Sequence, residues 1–172
     1  MKTRGSQMTS SRAVFAVLLV AAVALMCLYY PQLPEHMASH FDGAGRANGW
    51  SSKGFFFGVQ TMILLLVTVC FALLPQRIRD FPPDKINLPH KDYWLAPERR
   101  AATMASVVSA ITWFGCAVLV FLIAVTWLVI RVNLGLESGL PALPMGALLA
   151  GLIGCVALLI ARMLYIGRRP PV

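Results

Sequence analysis

Glu35, His36, His40 and Asp42 form the densest chemical group in this 172-residue chain. Two histidines four apart share one face of a helical turn, and a nearby carboxylate could complete three ligands for zinc. The order is not HExxH, however, and Gly43 and Gly45 would unwind a helix immediately afterwards. A second reading has His40 and Asp42 hydrogen-bond to the loop backbone and pin its fold. A third gives the same loop to recognition of a ligand or partner. Another polar group, His90, Lys91, Asp92, Glu98, Arg99 and Arg100, would need an acid and a base converging on one substrate atom to do catalysis. Charges that cap a helix and grip lipid phosphates explain it more simply. No phosphate-binding glycine loop, GxSxG elbow or Cys/His pairing occurs. The reading is therefore non-enzymatic, with no catalytic residue, no metal and no cofactor assigned.

The elements that must position these residues follow from composition. Charged residues make up 13% and hydrophobic residues 58% of the chain, against about 25% and 45–50% in soluble domains. Charges are absent from 13–34, 54–76, 101–130 and 138–161, each longer than the ~18 residues that read as a membrane helix. The expectation is an all-α integral membrane protein with four transmembrane helices, at 13–30, 54–74, 103–130 and 145–166, joined by loops 31–53, 75–102 and 131–144 with tails 1–12 and 167–172.

Basic residues set the orientation. Lys2, Arg4 and Arg12, then Arg77, Arg79, Lys85, Lys91, Arg99 and Arg100, then Arg162, Arg168 and Arg169 stand on one side; only Arg46, Lys53 and Arg131 stand on the other. Both termini and the 75–102 loop are thus expected in the cytoplasm, with the 31–53 loop short, structured and extracytoplasmic. The net charge of +8 follows from these flanks and not from a basic face interleaved with aromatics, which argues against nucleic acid as a partner. The first span is long for a signal core, and Met26 is too large to precede a cleaved bond, so cleavage is not expected. Cys27, Cys70, Cys116 and Cys155 lie one per span and read as packing residues.

Within loop 31–53, Pro31 and Pro34 end the first helix. Asp42-Gly43 and Asn48-Gly49 are tight-turn pairs that suggest a small hairpin. Tyr29, Tyr30, Phe41 and Trp50 suit a membrane interface. In loop 75–102, five prolines forbid a long helix; Tyr93 and Trp94 fit the inner interface, Pro97-Glu98 fits the first turn of the third helix, and Arg99 and Arg100 can reach lipid phosphates. Ala102, Ser106 and Ala110, and Ala147, Gly151 and Cys155, form small-residue stripes suited to close helix packing. Gln60, Thr61 and Thr68 are polar but not ionisable, so no proton or ion path is written in the second span.

Two segments resemble the membrane family known as domain of unknown function 1648. Leu33, Pro34, His40, Phe41, Asp42, Gly45, Trp50, Ser52 and Lys53 match its first-loop pattern, and INLPHKDYWLAPERR is similar to a stretch found in many members, usually with Asn in place of His90. His36 departs from the apolar residue expected there, which argues against a family-wide metal pair. The resemblance implies a bacterial inner-membrane setting and, through SdpI-type immunity proteins that carry the domain, toxin immunity as one possible role. The expectation is a small membrane protein that senses, binds or protects through its outer loop. Binding or loop-structuring falls to His40, Phe41, Asp42, Trp50 and Lys53; inner-interface contacts fall to Tyr93, Trp94, Arg99 and Arg100. The partners are the lipid bilayer and another membrane protein or a peptide ligand. The rival readings are a metal protein or enzyme using His40 and Asp42, and an accessory subunit of a transporter.

Overall fold

The computed structural model describes residues 3–166 and residue 168. Lys2 and Arg169, two of the bases that set the expected orientation, lie outside the described residues, as do residues 1, 167 and 170–172. Four long helices dominate: α1 (Thr3–Tyr29), α2 (Lys53–Thr68), α3 (Pro97–Asn133) and α4 (Ala142–Ile166). Each contributes a stretch long and apolar enough to cross a membrane, the second extending to Arg77. The chain is a multi-pass membrane protein.

The helices run further than the charge-free stretches. No proline interrupts the residues before Ala13, and α1 extends back to Thr3 among the described residues. Pro97 occupies the first turn of α3, where its missing amide is not needed, and Glu98 meets the positive helix end. At about 1.5 Å per residue, the 37 residues of α3 exceed the ~30 Å hydrocarbon layer, so its ends project beyond it.

Helix α2 changes its winding where Pro75 follows. Leu74 N–H reaches back five residues to Val69 O, widening the helix over Val69–Leu73. Pro75 has no N–H to offer the carbonyl four residues earlier, which is that of Phe71. The hydroxyl of Thr112 on α3 lies 3.2 Å from Phe71 O and 3.0 Å from Val108 O, so an α3 side chain serves the freed carbonyl where no water could. Gly115 makes this approach feasible: a β-carbon there would come within 2.4 Å of Phe71 Cβ.

Helix α3 is the hub. Its broadest interface is with α1, while α2 and α4 also pack on it. Phe15, Met26, Met37, Leu64, Leu119 and Ile130 belong to one core cluster spanning α1, α2, α3 and the first loop. Among the small-residue stripes, Ala102, Ser106 and Ala110 border grooves between α3 and α4 and do not close them. Gly151 has no neighbour within 4 Å of its β-carbon position. The expected close α4 packing through Gly151 is therefore absent.

The 31–53 loop adds a small hairpin to the otherwise all-α fold, as its tight-turn pairs suggest. Strands β1 (His36–Phe41) and β2 (Ala47–Ser52) pair antiparallel. Their register pairs Ala38 with Trp50, then His40 with Gly49, then Phe41 with Ala47; Ser39 and then Asn48 are the extra residues, and such bulges bend a hairpin. Asn48-Gly49 lies within β2, so Asp42–Arg46 alone makes the turn.

Candidate functional site

The hairpin is fastened at three points, two on helices and one on the segment before α4. Asn133, near the end of α3, accepts from Ala38 N at 2.7 Å and donates to Ala38 O at 3.0 Å and to Val129 O at 2.9 Å. Its amide thus pairs with the edge of β1 that faces away from β2. At the start of α2, Lys53 N donates to Glu35 O at 2.9 Å, and the Lys53 ammonium sits 2.9 Å from the Glu35 carboxylate and 5.1 Å from the centre of the Tyr30 ring. Ser52 caps α2 by accepting from Phe55 N at 3.2 Å. At the turn, Gly45 O accepts from Leu140 N at 2.8 Å, joining the hairpin tip to the segment before α4. Gly45 holds φ +78°, and a β-carbon there would meet Leu140 O at 2.2 Å, so both conformation and space require glycine.

His36 and His40 lie on a strand and not on the helical turn that a zinc pair with that spacing would need. The Nδ1 of His40 is 2.8 Å from Asn48 Oδ1; since that oxygen only accepts, Nδ1 carries the proton. This contact ties the two bulged stretches through side chains, not through the loop backbone as expected for His40. Asp42 does engage the backbone: Oδ1 accepts from Ala44 N and Arg46 N, each at 2.9 Å, and Oδ2 accepts from Arg46 Nε at 3.0 Å. The Arg46 amide, reinforced by its guanidinium and by the Ala44 amide, outweighs burial and holds the Asp42 carboxyl below its ordinary value. Among the described residues, no three His, Cys, Asp or Glu side chains are grouped to hold a metal ion.

Beneath the hairpin lies a cavity of about 280 Å³ lined by His40 and Phe41 of β1, Phe56 and Gln60 of α2, Thr126 of α3 and Leu140. Gln60 Nε2 donates to Thr126 Oγ1 at 2.7 Å, satisfying the most polar side chain of the second span. Thr61 and Thr68 turn back on their own helix, donating to Phe57 O and Leu64 O at 2.8 Å. Trp50 points away from this packing and is 64% exposed, and Phe55 is 67% exposed. The hairpin thus combines a fixed backbone and a recess with an exposed Trp50, a combination suited to contact with another molecule.

At the other end of the helices, the expected inner-interface residues serve the protein itself. Arg99 donates to Tyr93 O at 3.2 Å, with its guanidinium 4.0 Å from the Tyr93 ring centre. Arg100 donates to Phe81 O at 2.6 Å. Trp94 Nε1 donates to Arg168 O at 3.0 Å, and the Tyr93 and Trp94 rings meet edge-on at 4.9 Å. Each arginine thus donates to a loop carbonyl, which braces the 78–96 segment against the start of α3. Nothing in the sequence analysis singles out Asn133, Gly115 or Thr112. A lone amide ending a long apolar run was the only available signal for Asn133, and it reads as an ordinary helix terminus.

Residues 17–64 match the family model described as Domain of unknown function (DUF1648). The matched segment runs from within α1 through the hairpin into α2 and so contains the site just described. No curated protein and no solved structure matches the chain.

Proposed function

We propose that this chain, which carries a DUF1648 domain over residues 17–64, is a non-enzymatic recognition protein of the bacterial cytoplasmic membrane. Its termini lie in the cytoplasm, on the strength of the basic residues flanking the spans, and the hairpin faces the opposite side. It senses, binds or gives immunity-like protection by contacting a peptide or another membrane protein through the hairpin. The observation that carries this reading is the pairing of a hairpin fixed by Asn133, Lys53 and Gly45 with an uncovered Trp50. A pre-organised surface loses little freedom on binding, and tryptophan is enriched at sites that dominate contact energy. The chemistry of His40 and Asp42 supports a structural task for both, since His40 Nδ1 and both Asp42 oxygens already have partners within the hairpin.

A photo-crosslinking residue in place of Trp50, activated in native membranes, tests the reading. A discrete adduct at residue 50, absent when the crosslinker replaces the exposed Ile153 of α4, is the expected result. Stoichiometric zinc in the purified protein, lost in both His40→Ala and Asp42→Ala, would replace recognition with metal chemistry.

A further inference from the structure

Two neighbouring cavities lie between α3 and α4. The larger, about 560 Å³, is lined by Ser106, Ser109, Trp113, Cys155, Leu158 and Arg162 among others. The smaller, about 290 Å³, shares Ser106, Ser109 and Arg162 and continues to Trp94 and Tyr165. Together they form a groove with one polar end and one apolar end. From Ala102 to Ala117 it follows 16 residues of α3, a rise of about 22 Å, which exceeds one leaflet's ~15 Å share of a ~30 Å hydrocarbon layer and so reaches into the headgroup region.

Arg162 decides what such a groove suits. It is the single charged residue within α4, about one turn inside the helix end. Its hydrogen bond to Ser106 Oγ, at 3.2 Å, is to a neutral group. Among the described residues it forms no ion pair, and no acidic side chain lines either cavity. A guanidinium about one turn from the cytoplasmic end of a membrane helix sits near the headgroup level, and basic recesses between membrane helices bind lipid headgroups. Below it, Trp113, Phe114 and Leu158 supply an apolar wall of the kind an acyl chain covers. The small side chains of Ala110 and Ala117 keep the groove open.

We infer that the α3–α4 groove is a binding site for one anionic phospholipid. Its phosphate sits at Arg162 with the hydroxyls of Ser106 and Ser109 beside it, and one acyl chain runs towards Cys155. The lipid belongs to the leaflet on the side of residues 78–96. This site is separate from the hairpin and independent of its proposed role.

The test uses the full-length protein, stripped of lipid in a neutral detergent and offered phosphatidylglycerol and phosphatidylcholine with identical chains in equal amounts. Retained lipid is counted by native mass spectrometry. One phosphatidylglycerol per chain is expected, favoured about fivefold over phosphatidylcholine by the single cation. Arg162→Gln should erase the preference, Arg162→Lys should keep most of it, and Ala110→Leu should lower retention of both lipids by filling the groove. Equal retention of the two lipids by the native protein would overturn the site. So would a preference unchanged in Arg162→Gln.

Discussion

The side-chain amide of Asn133 both accepts from and donates to the backbone of Ala38, at 2.7 and 3.0 Å, across 95 residues of chain. The far end of the longest helix is thereby locked to the free edge of the hairpin, and a strand that would otherwise offer unpaired groups on that side is closed. Replacing Asn133 with Ala leaves two part-buried backbone groups of Ala38 without partners. The expected loss is about 1–3 kcal/mol, seen as lower thermal stability in detergent and faster hydrogen exchange at Ala38, while the helical content stays unchanged.

Gly115 and Gly151 form a matched pair. Gly115→Ala drives a methyl group against Phe71 Cβ, 2.4 Å away in the native geometry, and should destabilise by about 1–3 kcal/mol through overpacking. Gly151→Ala meets nothing within 4 Å and, in a helix, should be neutral or stabilise by up to about 1 kcal/mol. Thermal denaturation of the two variants side by side checks both; equal effects would contradict the packing described for α3.

Topology is tested with cysteines in a background whose four native cysteines are replaced by Ala. Gly45 is unsuitable because of its positive φ and its contact with Leu140, whereas Gly43 has no neighbour within 4 Å of its β-carbon position. Gly43→Cys should react with an impermeant thiol reagent in intact cells, and Asp84→Cys should not. The reverse pattern would invert the orientation proposed from the basic residues.

Much of this arrangement is legible in the sequence. Charge-free runs reveal four spans because a lipid environment excludes ionised groups along the whole length of a helix, and Asp42-Gly43 marks a turn because its chemistry is local. What stays hidden depends on residues distant in the chain. Pro75 announces a lost donor, but only the fold shows that Thr112 serves Phe71 O. Arg99 and Arg100 read as interfacial bases, and only the fold shows that they also donate to the carbonyls of Tyr93 and Phe81. His40 was visible as a loop residue, but its partner Asn48 depends on two bulges that no spacing rule specifies.

The hairpin turn should respond to acid. Asp42 has a carboxyl held below its ordinary value by the Arg46 amide first of all, so its contribution is fully present above the ordinary carboxylate range and is lost as pH falls through the lowered value. The Arg46 amide proton should report this as a chemical-shift titration that Asp42→Asn abolishes, with the variant's turn loosened at neutral pH. An Arg46 shift that still titrates in Asp42→Asn would assign the effect to another group.

The account stands on the hairpin's being a pre-organised contact surface, and photo-crosslinking from residue 50 in native membranes, with and without Asn133→Ala, measures that directly. The account predicts one discrete adduct in the otherwise native chain and a clear loss of its yield when Asn133→Ala frees β1, at unchanged protein abundance. No adduct at residue 50, or a yield indifferent to Asn133→Ala, would contradict it.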